Sequence, residues 1–145
     1  MSQTQNQEVQ GIAADNVTQW MAEHIDGLAA PLSFELIAGG HSNLTYSVVD
    51  QQDRTFVLRR PPLGHVLESA HDMGREHKII TALAGSQVPV ASTIGLCTDL
   101  SVNDAPFYVM DYVAGPVLHD AEVAATVPAA ERSALGEHVI DVLAA

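Results

Sequence analysis

Apolar residues recur along this chain with two different periods, and the switch between them lays out its elements. Val17, Trp20, Met21, Ile25 and Leu28 stand at the i, i+3, i+4, i+8 and i+11 positions of one helical face, the spacing of a buried stripe. Asp15 or Asn16 is placed to cap that helix, and Gly27 and Pro31 bound it. The period then drops to two. Phe34 to Ile37 reads as a short strand, followed by the turn Gly39-Gly40-His41-Ser42-Asn43. Leu44, Tyr46 and Val48 then alternate with Thr45, Ser47 and Val49. Asp50-Gln51-Gln52-Asp53 reverses the chain, and a return strand over Thr55 to Arg59 is stopped by Pro61-Pro62, which cannot donate to a ladder. Strands joined by turns this short form an antiparallel meander, because parallel neighbours need a long crossover.

The helical period returns from about Ser69 to Ala84, with Met73, Ile80 and Leu83 inward and His77 near that face. Glu76 falls at the edge of the stripe, pointing at the sheet, and Gly85-Ser86 stops the helix. Val88-Pro89-Val90 is extended, Thr93 to Thr98 is a strand, Asp99 to Asp104 a turn, and Phe107 to Tyr112 a strand rich in β-formers. The expected fold class is therefore α+β: about five antiparallel strands with one helix packed across a face, plus an amino-terminal and a carboxy-terminal helix. Residues 1–14, polar and aperiodic apart from Ile12, read as a flexible tail, and 15–113 as one unit. Ala114-Gly115-Pro116 opens a linker over 114–127. From 128 onward Leu135, Val139, Val142 and Leu143 mark a last amphipathic helix whose apolar pattern is still running at Ala145. Such a face awaits a continuation of the chain, another subunit or the sheet.

Composition narrows the function. The 145 residues suit one domain, and their formal charge of -12 argues against nucleic acid and anionic membrane surfaces as partners. No run of about 18 apolar residues and no basic-then-apolar start is present, so the expected compartment is the cytoplasm. The single Cys97 lacks His or Cys partners at ligand spacing and reads as a small core residue. The positive charges are unevenly placed: Arg54, Arg59, Arg60, Arg75 and Lys78 fall within 25 residues, none precedes them, and only Arg132 follows. An island of this kind suits a small anionic ligand, and equally it is what scattered surface charges look like. A glycine turn between strands, followed by a strand bringing Arg59 and Arg60 back beside it, suggests a lid over phosphates.

Most catalytic motifs are missing from the sequence. It has no G-x-x-x-x-G-K-[ST] loop, no strand-linked G-x-G-x-x-G, no G-x-S-x-G elbow and no H-E-x-x-H. His65, His71 and His77 recur every six residues, each turned about 120° from the last on a helix, so they make no common metal face. What remains is an order of parts: glycine turn, strand with a cation, helix with an acid, strand, linker. In that order the sequence resembles the aminoglycoside-phosphotransferase-like kinases, in particular the kinase domains fused to acyl-CoA dehydrogenases. The resemblance is carried by Gly39-Gly40-His41-Ser42-Asn43-Leu44-Thr45-Tyr46, by Phe56-Val57-Leu58-Arg59-Arg60-Pro61-Pro62 and by Ser69-Ala70-His71-Asp72-Met73-Gly74-Arg75-Glu76. Val88-Pro89-Val90 and Pro106-Phe107-Tyr108-Val109-Met110 extend it, so that it spans about residues 33 to 118.

The resemblance implies the amino-terminal lobe of a two-lobed, ATP-dependent phosphotransferase acting on a hydroxylated small molecule. It implies that Arg59 is the cation that reaches the nucleotide phosphates and that Glu76 holds it. It further implies that Val57 roofs the adenine and that Gly40, His41, Ser42 and Asn43 form the phosphate cover. Met110 would line the back of the pocket, with the Asp111 carbonyl and the Val113 amide on the adenine edge. An ordinary salt bridge for Arg59 and Glu76, a plain hairpin turn, and core filling by Met110 are the competing readings. The family's H-G-D-x-x-x-x-N loop and its later magnesium-binding Asp have no counterpart here, and His119-Asp120 reads as linker. The expectation is thus an ATP-binding lobe without catalytic or metal-binding residues of its own, inactive alone, with 128–145 as the first helix of a missing C-lobe that would be its partner. The alternative is a non-catalytic module that associates with itself or a partner through its last helix.

Overall fold

A computed structural model of the protein describes residues 9–39, 42–64 and 70–145. Helix α1 (Ala14–His24) precedes strands β1 (Ser33–Ala38), β2 (Leu44–Val49) and β3 (Thr55–Arg60). Helix α2 (Met73–Leu83), strand β4 (Thr93–Cys97), the single turn α3 (Leu100–Asn103) and strand β5 (Phe107–Asp111) follow. The chain ends with the single turn α4 (Ala121–Ala124) and helix α5 (Ala129–Ala144). The five strands form one antiparallel sheet in the order β1-β2-β3-β5-β4, the expected α+β architecture.

Register decides which side chains share a face. Tyr46 pairs with Leu58, which pairs with Val109, and this row belongs to the side of the sheet covered by α1. Val17 and Met21 of α1 pack there on Tyr46, Val48, Phe56, Leu58, Phe107 and Val109, and all are buried. Cutting Met21 back to Ala would open a cavity costing about 2–5 kcal/mol. Gly95 lies under α1 as well, where a Cβ would stand 3.0 Å from the Trp20 ring, so the small residue lets that helix seat. Helix α2 packs on the opposite face, toward β4 and β5, with Met73 buried and Thr81 Oγ1 2.8 Å from Thr93 Oγ1.

Several expected boundaries move, each for a tertiary reason. Helix α1 stops at His24; Ile25 is extended, and both Ile25 and Leu28 reach the core from the loop instead of from the helical stripe. Neither Asp15 nor Asn16 caps it. The N-cap is Ala13, and buried Asn103 from α3 takes the Ala13 N–H on Oδ1 at 2.7 Å while donating to the Gly11 carbonyl at 3.2 Å. Residues 9–13, read from the sequence as part of a tail, are thereby fastened to the sheet. Tyr46 Oη donates to the Gln10 carbonyl at 2.7 Å and Arg60 Nη1 to the Gly11 carbonyl at 2.6 Å. Gly11 has φ +87°, and a Cβ there would sit 2.8 Å from Tyr46 Oη, so only glycine fits this crossing. Helix α2 begins at Met73, because Asp72 accepts the Arg75 N–H and caps it; Ser69 lies outside the described residues. The expected turn after Asp99 contains α3, and the expected linker contains α4, capped by Asp120.

Candidate functional site

Strand β3 divides its two arginines between the two faces of the sheet. Arg60 points to the α1 side, where it is buried and spends its donors on the Gly11 and Pro61 carbonyls; burial lowers its pKa, partly offset by Tyr46 and Asp104. Arg59 points to the α2 side. The idea that both charges return to one neighbourhood is therefore corrected by the strand's alternation. Arg54, a third member of the basic island, pairs with Asp50 at 2.8 Å and donates to the Asp26 and Gly27 carbonyls. Three members of the island, Arg54, Arg59 and Arg60, thus take separate directions in space, with Arg59 on the face of Val57.

On that face two rows of side chains lie side by side. One runs Thr45, Arg59, Tyr108, and Arg59 Nε approaches Glu76 Oε2 of α2 to 3.3 Å. The next runs Ser47, Val57, Met110, with Val57 buried and Met110 half-buried, an apolar strip beside the cation. Asp111 ends β5 and donates its N–H to the Ser92 carbonyl at 2.9 Å; Val113, just beyond, is 69% exposed. Arg59 and Glu76 side chains are 31% and 32% exposed, so the pair contributes at most about 1 kcal/mol to stability. Arg59 Nε is nevertheless buried and has no well-aligned hydrogen-bond partner. Such an arrangement holds a permanent charge in place on a side chain that is still partly exposed.

Glu76 is gripped by more than Arg59. Tyr108 Oη donates to Oε2 at 3.1 Å, and Asn43 Nδ2 donates to Oε1 at 2.5 Å. Burial first, and the negative charge and hydrogen bond of Glu76 after it, push the Tyr108 phenol well above its ordinary pKa, against the opposing pull of Arg59, so it stays a donor. Asn43 is buried, and His71 Nδ1 lies 2.7 Å from its Oδ1. The Asn43 side chain is thus taken up by Glu76 and His71, whereas Ser42 beside it is exposed. Gly40 and His41, expected in the phosphate cover, lie outside the described residues. Tyr108 and His71 stand in motifs that carry the family resemblance, but the sequence reading assigned neither to the site. Tyr108 lies in a strand whose alternation is legible, but its meeting with Arg59 depends on a β3–β5 register that pairs residues far apart in the chain.

The neighbours of Arg59 on this face, Thr45, Val57 and Tyr108, are buried, and its own side chain is 31% exposed. A 960 Å³ cleft lies to one side, lined by Arg60, Pro61, His71, Met73 and others, and a 450 Å³ apolar cup lies between α4 and α5. Among the described residues no group of three or more His, Cys, Asp or Glu is positioned to hold a metal ion, and no helix is long and apolar enough to cross a membrane.

This chain is similar in sequence and in fold to known proteins. Acyl-CoA dehydrogenase family member 11 of Homo sapiens is 34% identical over 129 residues, covering 86% of this chain and 16% of that protein. Acyl-CoA dehydrogenase family member 10 of Mus musculus is 44% identical over 81 residues, 56% of this chain and 8% of that protein. The crystal structure of a "putative aminoglycoside phosphotransferase" from Ralstonia eutropha is similar with a TM-score of 0.70 at 36% identity, over 90% of this chain and 36% of that one. The chain thus spans less than a fifth of the curated relatives it matches. The model of the phosphotransferase enzyme family (APH) matches residues 33–145, from the first strand through the last helix, and the chain belongs to that family.

Proposed function

We propose that this chain is the ATP-binding lobe of a small-molecule phosphotransferase, one that moves a phosphoryl group from ATP to a hydroxyl. The observation that carries this reading is Arg59 held 3.3 Å from Glu76 on the same sheet face as Val57 and Met110, a fixed cation beside an apolar strip. A nucleotide needs both: charge for its phosphates and a flat apolar ceiling for its base. Arg59 would meet the phosphates, Val57 and Met110 the adenine, and the Asp111 carbonyl and Val113 amide its polar edge. Ser42, with the Gly40 and His41 backbone, would cover the phosphates. The Arg59 side chain is 31% exposed, so an anionic ligand can reach it.

Phosphoryl transfer is chiefly positioning and neutralisation of charge around the moving group. In this family a His-Gly-Asp-x-x-x-x-Asn loop and a later Asp supply those parts, including the magnesium ligands, and the present sequence has neither. These 145 residues on their own would therefore orient the donor nucleotide without transferring its phosphate. A nucleotide site usually buries about 70–90% of its ligand, and one sheet face supplies only a roof, so binding is expected in the millimolar range. The setting is the cytoplasm, where ATP is available.

Titration of the isotope-labelled chain with ATP-Mg, followed by NMR, tests the reading. Resonances of Gly40, Arg59 and Val113 should move together at millimolar nucleotide, and their staying fixed would overturn it. Asp111→Ala should leave the titration unchanged, because that position is expected to act through its backbone.

A second reading has its own observation. Helix α5 has no buried residue, and Val139, Ile140 and Leu143 are 52%, 66% and 82% exposed. An interaction module that keeps this lobe's fold and pairs through α5 would use that surface. The two readings are compatible, since a nucleotide-binding lobe can also associate.

A further inference from the structure

The hydrogen bonds around Glu76 run in a direction that their chemistry fixes. A carboxylate paired with Arg59 only accepts, so the Asn43 amide nitrogen must face Oε1 and donate to it. That choice turns the Asn43 oxygen toward His71 Nδ1, 2.7 Å away, and an amide oxygen also only accepts. His71 therefore carries a proton on Nδ1. The other carboxylate oxygen, Oε2, is left for Tyr108 Oη at 3.1 Å and Arg59 Nε at 3.3 Å. The two oxygens have separate duties: Oε1 is tied back toward the segment before β2, and Oε2 faces the cation.

We propose that Asn43 and His71 are positioning residues that lock the rotation of the Glu76 carboxylate and so aim Arg59 at the phosphates of the nucleotide. The proposal rests on the nucleotide-binding reading above. The terminal torsion of a glutamate is broad, and a side chain one-third exposed is free to turn toward water unless it is anchored. Asn43 supplies that anchor from a buried position and is itself oriented by the His71 donor. A plain stitch between helix and sheet is a poorer account of the arrangement. Helix α2 is already seated by buried Met73 and by the Thr81–Thr93 bond. Asn43 also immediately precedes β2, so the start of that strand and the cation on β3 are coupled through one carboxylate.

The experiment uses the full chain with Asn43→Ala, His71→Asn and His71→Phe. Three readouts are taken by NMR: affinity for ATP-Mg, affinity for adenosine, and the Arg59 Nε–H resonance without ligand. Asn43→Ala should weaken ATP-Mg about tenfold, the loss of one hydrogen bond to a charged group. Adenosine, which has no phosphate for Arg59 to meet, should bind unchanged, and the Arg59 resonance should move. The amide nitrogen of His71→Asn falls where Nδ1 stands and should preserve both the affinity and the resonance, while His71→Phe should lose them. The proposal is overturned if ATP and adenosine weaken together, if the Arg59 resonance stays in place, or if the two His71 variants behave alike. Should the unaltered chain bind no ATP, the nucleotide reading fails by itself. The Arg59 resonance then decides alone: movement in Asn43→Ala and His71→Phe but not in His71→Asn supports the lock, and any other pattern removes it. If Asn43→Ala does not fold, the pair of His71 variants carries the same decision.

Discussion

Asp50 shows how one side chain can fasten a turn that its own sequence only sketches. Its Oδ1 accepts the backbone N–H of Gln52 at 2.9 Å and of Arg54 at 3.0 Å, and its Oδ2 accepts Arg54 Nε at 2.8 Å and the Ala29 N–H at 3.4 Å. Burial acts to raise its pKa, but the hydrogen bonds from Arg54, Gln52 and Ala29 outweigh it and hold the carboxyl below its ordinary value. A folded-state pKa below the unfolded one, about 3.9, means the stabilisation is fully present above that value and is lost as pH falls through the folded one. Urea unfolding followed by Trp20 fluorescence should show stability falling below about pH 4, and Asp50→Asn should flatten part of that fall. The reversal at 50–53 was legible because its residues are turn formers. The reach of Asp50 to Ala29, and of Arg54 to Asp26 and Gly27, was not, since nothing local records which loop will lie alongside.

Helices and strands were legible by period and less so by their ends. The extents of β2 and β3 were legible almost to the residue, β2 from its alternation and β3 from the turn before it and the prolines after it. Helix α1 was expected to run on to Leu28, since an apolar residue in a loop can fall into helical spacing and still reach the core. Helix α2 starts later than its composition suggests because Asp72 intercepts it, taking the Arg75 N–H at 3.0 Å. Asp72→Ala should cost about 1 kcal/mol, read as a lower urea midpoint with unchanged slope. The same change should loosen Glu76, which sits in the first turn of α2. In Asp72→Ala the Arg59 Nε–H should exchange faster with solvent than in the unaltered chain, while amides of β2 and β3 keep their protection.

Taken together, the elements make a sheet covered on its two faces by different helices, with the last helix contributing nothing to that core. The apolar residues of α5 are its most exposed feature and suggest association. Light scattering over a range of concentrations should show dimers forming, and Leu135→Glu with Val139→Glu should return the chain to a monomer. A molecular mass independent of concentration would remove self-association through α5. Neither outcome bears on the ion pair at Arg59, because the Leu135 and Val139 substitutions lie outside the sheet and α2.

By itself the sequence determined the family, the class of fold and the strands of the sheet, and the family resemblance implied the pairing of Arg59 with Glu76. The first three are written in local periods and short motifs, and local patterns survive whatever the rest of the chain does. The tertiary structure decided the division of Arg59 and Arg60 between opposite faces in their actual company, the fastening of residues 9–13 by Tyr46, Arg60 and Asn103, and the grip of Asn43, His71 and Tyr108 on Glu76. Those contacts join residues about 30 to 90 positions apart. Their geometry follows from sheet register and helix seating, which are set by the packing of the whole core and so leave no trace in any single stretch of sequence.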